Sequence, residues 1–66
     1  LNIGDRVAWN TAQGITYGVV EQLITEKTIF MGHTFNASEE NPYYLVKSAK
    51  SGKNAIHKRE ALKKLD

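Results

Sequence analysis

Six aromatic residues offer the binding chemistry in this sequence: Trp9, Tyr17, Phe30, Phe35, Tyr43 and Tyr44. The face of an aromatic ring attracts a cation, and one such contact contributes about 0.5–2 kcal/mol. Rings at the ends of strands could therefore form a binding rim, and the candidates are Trp9, Tyr17, Tyr43 and Tyr44. The alternative is that a protein this small needs most of these rings for its core.

Charged residues are distributed unevenly. Residues 1–46 hold two cationic side chains against five acidic ones, whereas residues 47–66 hold seven cations against two acids, a balance of −3 against +5. The cations of the second segment form a candidate basic patch of Lys47, Lys50, Lys53, Lys58, Arg59, Lys63 and Lys64. Such a patch could follow the phosphates of a nucleic acid while Tyr43 or Tyr44 stacks on a base. The alternative is a solvated surface, because lysines on turns and edge strands prevent aggregation of sheets.

The segment 36–42 is a polar, acidic loop that immediately precedes Tyr43. Glu39 and Glu40 in this loop would add charge attraction for a cationic partner held against the Tyr43 ring. The loop and the aromatic rim together favour a protein partner, and the basic patch favours a nucleic acid. The sequence leaves this choice open.

His33 and His57 are the remaining candidates for chemistry, and neither has a second ligand or a nucleophile at a diagnostic spacing. We expect both to serve the structure. The chain contains no Cys, which excludes disulfides and thiolate metal sites. The sequence therefore predicts a protein that is not an enzyme and that uses no cofactor and no metal.

The 66 residues correspond to one domain, residues 1–66, with one small core. No apolar run approaches the roughly 20 residues that span a membrane, and no signal peptide is visible. We expect a cytoplasmic protein without a membrane partner. The chain begins at Leu1, which is compatible with the removal of a preceding segment.

Alternating apolar residues and recurring turn residues predict five short strands, at residues 6–10, 15–24, 28–35, 43–47 and 53–57. Gly18 predicts a bulge or bend in the second strand, and Gly32 interrupts the third. Short helical turns are expected at residues 38–40 and 58–62. The predicted core comprises Val7, Trp9, Val20, Ile24, Ile29, Leu45, Val46, Ile56, Leu62 and Leu65.

Five short strands bury their faces best when the sheet curls into a small barrel. The sequence therefore predicts an all-β fold, a five-stranded SH3-like barrel with one helical turn near the C-terminus. An oligonucleotide-binding barrel fits less well. Such a barrel is usually longer and carries a true helix between its third and fourth strands, where this chain has only seven loop residues.

The opening Gly4-Asp5-Arg6-Val7-Ala8-Trp9 is typical of SH3-like barrels, and the segments that follow it are more specific. They are Gly32-His33-Thr34, Ala37-Ser38-Glu39-Glu40, Pro42, Tyr44-Leu45-Val46-Lys47-Ser48, Lys50-Ser51-Gly52-Lys53, His57-Lys58 and Glu60-Ala61-Leu62-Lys63-Lys64-Leu65. Together they resemble the hypervirulence-associated protein Tudor domain family over nearly the whole chain. The pattern of that family has Pro where Arg59 stands. The resemblance implies a Tudor-like barrel, and Tudor-type barrels can gather two to four rings into a cage for methylated ammonium groups. It implies no established activity.

One family of enzymes is similar in its opening residues. The plasmid-encoded type II dihydrofolate reductases are small SH3-like barrels that begin with Gly-Asp-Arg-Val, as residues 4–7 do here. Their catalytic strand reads Val-Gln-Ile-Tyr, whereas residues 54–57 read Asn-Ala-Ile-His. The resemblance therefore does not extend to the reductase activity. We expect a non-catalytic binding module, with an oligomer-forming structural module as the alternative and a small oligomeric-barrel enzyme as a remote third. The oligomeric state is not predictable from the sequence.

Overall fold

Antiparallel β-structure dominates the chain, and the computed structural model describes residues 1–65. Its elements are β1 (Arg6–Thr11), β2 (Gly14–Ile24), β3 (Thr28–Phe30), β4 (His33–Phe35), β5 (Tyr43–Ser48), β6 (Asn54–Lys58), a 3₁₀ turn (Arg59–Ala61) and β7 (Lys63–Lys64). One sheet has the order β6-β5-β2-β1-β7, and β3 pairs with β4 as a separate hairpin. The predicted all-β class is confirmed. No helix among the described residues is long and apolar enough to cross a membrane.

The third predicted strand is a hairpin rather than one interrupted strand. Phe30 pairs with His33, which leaves Met31 and Gly32 as a two-residue turn. Their φ angles are +52° and +80°, the pattern of the tight turns that match strand twist. The sequence did not predict the turn because Met is an unusual residue at positive φ, where Asn or Gly is favoured.

A bulge near the middle of β2 changes which face its side chains occupy. The register with β5 shifts between Val20 and Gln22, so Glu21 has no cross-strand partner. Because side chains alternate with a period of two, one extra residue moves the following ones to the opposite face. Val20 therefore packs in one apolar cluster and Ile24 in another.

Gly18 was predicted to mark the bend of β2, but the bulge lies three residues later. The position requires glycine for a different reason. A Cβ atom there would lie 2.7 Å from the Trp9 ring and would collide with the Lys47 carbonyl oxygen. The prediction was wrong about the cause, because a close approach between strands and a bulge favour the same residue.

The sheet curls so that β1 and β6, which are not neighbours in it, approach each other. β1 and β6 are separated in the sheet by β2 and β5, which in a flat sheet would place them about 14 Å apart. The ring centroids of Trp9 on β1 and His57 on β6 are nevertheless 5.4 Å apart. No strand pairing joins these two strands within residues 1–65, so the described sheet is curled but not closed by hydrogen bonds.

Two apolar clusters lie on opposite faces of the sheet. The concave cluster contains Val7, Trp9, Val20, Tyr44, Val46 and Leu62. The convex cluster contains Ile24, Ala37 and Ile56, with Phe30, Phe35, Tyr43 and Leu45 packed around them. The alternation of β5 explains the division, since Tyr44 and Val46 point one way and Tyr43 and Leu45 the other. The expected single core is therefore two.

Most of the predicted core residues are buried, with three exceptions. Ile29 is exposed, while Leu45 and Leu65 are only half-buried. Ile29 lies between Thr28 and Phe30 in β3, and because side chains alternate along a strand it points away from the side on which Phe30 packs against the convex cluster. Tyr44, which was absent from the predicted core, is fully part of it.

The described residues contain one helical turn, at Arg59–Ala61, shorter than the span predicted for residues 58–62. The Arg59 side chain donates a hydrogen bond of 3.0 Å from Nη1 to the Leu62 carbonyl oxygen and so fastens the end of this turn. The second predicted turn, at residues 38–40, is absent. Residues 39–41 form a bend, and the Ser38 hydroxyl accepts a hydrogen bond from the Asn41 amide instead.

Candidate binding surfaces

The four residues of the predicted aromatic rim do not come together. Trp9 and Tyr44 are each only 6% exposed and belong to the concave cluster. For these two rings the alternative interpretation, burial in the core, is the one that the structure shows. No cage for a methylated ammonium group can use a ring whose face is covered by the core.

Tyr43 is the first residue of β5, and its ring is already in contact with two other side chains. Its ring meets Phe35 edge to face at 5.5 Å, and the Lys58 ammonium lies 5.9 Å from its centroid. The neighbouring cleft has a volume of about 520 Å³ and is lined in part by Glu40, Lys58 and Arg59. Charges of both signs thus meet beside one half-buried ring. Glu39 is exposed and does not line this cleft.

Tyr17 lies at the opposite end of the sheet from Tyr43. Its carbonyl oxygen accepts a hydrogen bond of 2.9 Å from the Ala49 amide, just beyond the end of β5, whereas Tyr43 begins that strand. Six residues of extended chain place the two positions about 20 Å apart. Tyr17 and Tyr43 therefore cannot contribute to one small binding site.

The convex face of the sheet is covered at one end only. The β3–β4 hairpin and Ala37 pack over the end that carries Ile24 and Ile56. The other end carries no covering element, and we call it the open face. We define it by Ala8, Ile15, Tyr17, Val19, Lys47 and Lys63, beside which the register also places Arg6 and Asn10. The register places them on one side, since Ala8 pairs with both Tyr17 and Lys63, and Val19 pairs with Lys47.

Apolar side chains dominate the centre of the open face. Tyr17 is 55% exposed and Ile15 is 62% exposed, two residues apart on β2. Both line a broad cavity of about 690 Å³ with Ala49 and Lys50 of the turn after β5. Tyr17 is the one aromatic residue exposed by more than a third of its surface among residues 1–65.

The predicted basic patch is divided among several places. Lys47 and Lys63 belong to the open face, and Lys50 borders it. Lys58 and Arg59 line the cleft beside Tyr43, at the opposite end of the sheet from Tyr17. Lys53 lies in the turn before β6, and the Lys64 ammonium lies 3.8 Å from the Asp5 carboxylate. The seven cations therefore form no single surface.

The two histidines differ in their surroundings. His33 is exposed, whereas His57 is partly buried against Trp9 and pairs with Tyr44. Burial lowers the pKa of His57 from 6.5, because the imidazolium form loses hydration. Its Nε2 atom is buried without a hydrogen-bond partner in the structure. This arrangement favours a neutral ring with a structural role.

Within residues 1–65, no three His, Asp or Glu side chains cluster in a way that could hold a metal ion. A further cavity of about 250 Å³ lies between the end of β2 and the β3–β4 hairpin, and it is lined by Ile24, Phe30, Leu45 and Ile56 among others. Those side chains offer apolar contact and no group for acid–base chemistry.

The open face was not predicted as a site, although Tyr17 was a candidate in another role. The signal was present in the alternation of β2. Ile15, Tyr17 and Val19 have one parity, and the buried Gly18 and Val20 have the other. Two successive apolar residues on the face opposite the core could have indicated a contact surface.

Comparisons with known proteins agree with this architecture at the level of the family. No curated protein and no solved structure matches the chain significantly. The family model described as "hypervirulence associated proteins TUDOR domain" matches residues 4–62. This range includes every strand from β1 to β6 and both apolar clusters. The chain therefore belongs to the hypervirulence-associated Tudor domain family.

Proposed function

We propose that this chain is a non-catalytic binding module and that its contact surface is the open face. The observation that carries the proposal is the exposure of Tyr17 beside Ile15 on an uncovered part of the sheet. Adjacent exposed apolar side chains favour association, because a partner removes them from water. Membership in a Tudor-domain family supports binding over catalysis.

The cleft beside Tyr43 is the second candidate surface, as expected from the acidic loop. Its support is the meeting of Glu40, Lys58 and Arg59 around one ring. Two features make it weaker. Lys58 already occupies the cation position over Tyr43, and Arg59 is bonded to the Leu62 carbonyl. A cationic guest would have to displace Lys58 before it gained the ring.

The test is a ligand selection that asks which surface captures ligands. Wild-type protein is screened against a displayed peptide library and against pools of single-stranded and duplex DNA. Each selected ligand is then measured against Tyr17→Ser and against Ile29→Ser. Ile29 is also an exposed apolar strand residue, but it lies on the β3–β4 hairpin, so it is the matched control.

We expect the selected ligands to lose binding to Tyr17→Ser by tenfold or more and to keep it with Ile29→Ser. Tyr17 is exposed, so its replacement should leave the fold intact, which an amide NMR spectrum checks. Ligands that bind both variants like the wild type would refute the assignment to the open face. If they instead lose binding to Lys58→Ala, the Tyr43 cleft is the site.

A further inference from the structure

We propose that the open face binds single-stranded nucleic acid, with Tyr17 stacking on a base and Lys47, Lys50 and Lys63 contacting phosphates. This inference rests on the binding function proposed above and gives it a ligand class. It also differs from the sequence-based expectation in its stacking residue. Tyr44 is buried and Tyr43 is engaged, so neither predicted ring presents a free face.

The Tyr17 ring is placed as a stacking residue requires. It lies on an inner strand of the sheet, since β2 has β1 on one side and β5 on the other. Its cross-strand neighbour on β1 is Ala8, which is only 7% exposed, so neighbouring side chains already cover that position. The Tyr17 ring itself remains 55% exposed, and a base can reach it from solvent. Stacking of a base on one aromatic side chain is worth about 5- to 150-fold in affinity.

Cationic side chains surround this ring on three sides. Lys47 is its diagonal neighbour on β5, through the pairing of Val19 with Lys47. Lys63 lies on β7 beyond Ala8, at about two strand spacings. Lys50 lines the same cavity as Tyr17. An apolar ring bordered by three cations is complementary to a base with its flanking phosphates.

Acidic side chains are rare around this surface. None of the six residues that define the open face is acidic, and the cavity shared with Lys50 has no acidic lining residue. Glu60 is the acidic neighbour, because it lines a smaller cavity together with Ile15 and Lys63. Glu60 should oppose phosphate binding, so its neutralisation offers a variant that strengthens the interaction.

The geometry favours a single strand over a duplex. In a duplex the faces of the bases are covered by their neighbours, and a ring such as Tyr17 finds no base face to stack on. Within residues 1–65 the longest helical segment is the 3₁₀ turn at Arg59–Ala61, so this part of the chain offers no helix for the major groove. A peptide is the alternative occupant, and an acidic peptide would be its most favourable form.

The experiment measures binding of the whole chain to a fluorescent 12-nucleotide DNA of mixed sequence by anisotropy, with amide NMR mapping at the same salt. With about three phosphates neutralised, the logarithm of the affinity should fall with the logarithm of salt at a slope near −2. That slope corresponds to a loss of about 16-fold between 50 and 200 mM salt. Chemical-shift changes should cluster on Ile15, Tyr17, Lys47, Lys50 and Lys63.

Adjacent lysines provide the matched control. Lys63→Gln should weaken binding several-fold, whereas Lys64→Gln should not, because Lys64 faces away and contacts Asp5. Tyr17→Ala should weaken binding by about tenfold and Tyr17→Phe should preserve it, since stacking needs only the ring. Glu60→Gln should strengthen binding.

Several outcomes overturn the inference. They are equal effects of Lys63→Gln and Lys64→Gln, affinity independent of salt, a duplex bound as tightly as the single strand, or an anionic poly-glutamate peptide bound as tightly as the DNA.

A dimer that dissociates on Tyr17→Ala, with no DNA binding, assigns the open face to a second copy of the chain. If DNA fails while another ligand depends on Tyr17, this inference is wrong and the binding function stands. If no ligand depends on Tyr17, the assignment of the binding function to the open face is wrong as well.

Discussion

Gly18 shows how a single residue sets the distance between neighbouring parts of the fold. Its missing side chain lets the Trp9 ring and the Lys47 carbonyl pack against the β2 backbone. An added methyl group has nowhere to go, because the carbonyl belongs to a central paired strand and cannot move aside cheaply.

We predict that Gly18→Ala lowers the free energy of unfolding by about 1–3 kcal/mol, the usual cost of overpacking. Urea denaturation measures the change. Thr16→Ala, on the same face of β2 opposite Trp9, is the control and should cost less. A Gly18→Ala protein within about 0.5 kcal/mol of the wild type would show that the strands separate readily at this point.

The turn of the β3–β4 hairpin contains a residue, Met31, that is unfavourable for the backbone conformation it adopts there. Met31 adopts a φ of +52°, a conformation that costs most side chains about 1–2 kcal/mol. The Met31 side chain is 80% exposed, so no buried contact compensates for this cost. Asn tolerates the conformation better than Met.

We therefore expect Met31→Asn to raise the free energy of unfolding by about 0.5–1 kcal/mol. Thermal and urea denaturation test it against His33→Asn, the same new residue at an exposed hairpin position without a positive φ. A Met31→Asn protein no more stable than the His33→Asn protein contradicts the assignment of strain to this turn.

The elements also show what the sequence could predict. Strands β1, β2, β5 and β6 follow from local alternation and turn residues, and they were predicted within about a residue at their ends. The β3–β4 turn could not be predicted, because Met31 is a poor residue for it. The open face was not predicted, although the alternation of β2 carried a signal for its apolar residues. It exists because the hairpin covers only one end of the sheet, and that depends on contacts between distant segments.

At the scale of the molecule, the division of charge along the chain does not become a division of the surface. β7 from the basic end pairs with β1 from the acidic part, and β5 pairs with β2. The lysines are thus separated onto the open face and the Tyr43 cleft. Because antiparallel pairing brings distant segments together, residues that are close in sequence do not stay together on the surface. A charge count per half of the chain therefore indicates little about where a partner binds.

The contact between Trp9 and His57 brings β1 and β6 of the curled sheet together, and we expect it to make the stability of the whole molecule sensitive to pH. Burial lowers the pKa of His57 below its unfolded value of 6.5, because the folded protein disfavours the charged ring. The unfolded chain therefore binds more protons at this position than the folded chain. The stabilisation is fully present above about pH 6.5 and is lost as the pH falls towards the folded pKa.

We accordingly expect the free energy of unfolding to be lower at pH 5.5 than at pH 7.5, as measured by urea denaturation. His57→Phe keeps a ring against Trp9 and removes both the titrating group and the unpartnered Nε2 atom, so its stability should change less over this range. Replacing the exposed His33 by Gln should leave the dependence as in the wild type. If the stability of His57→Phe depends on pH as that of the wild type does, then protonation of His57 at its contact with Trp9 does not govern the stability of the fold.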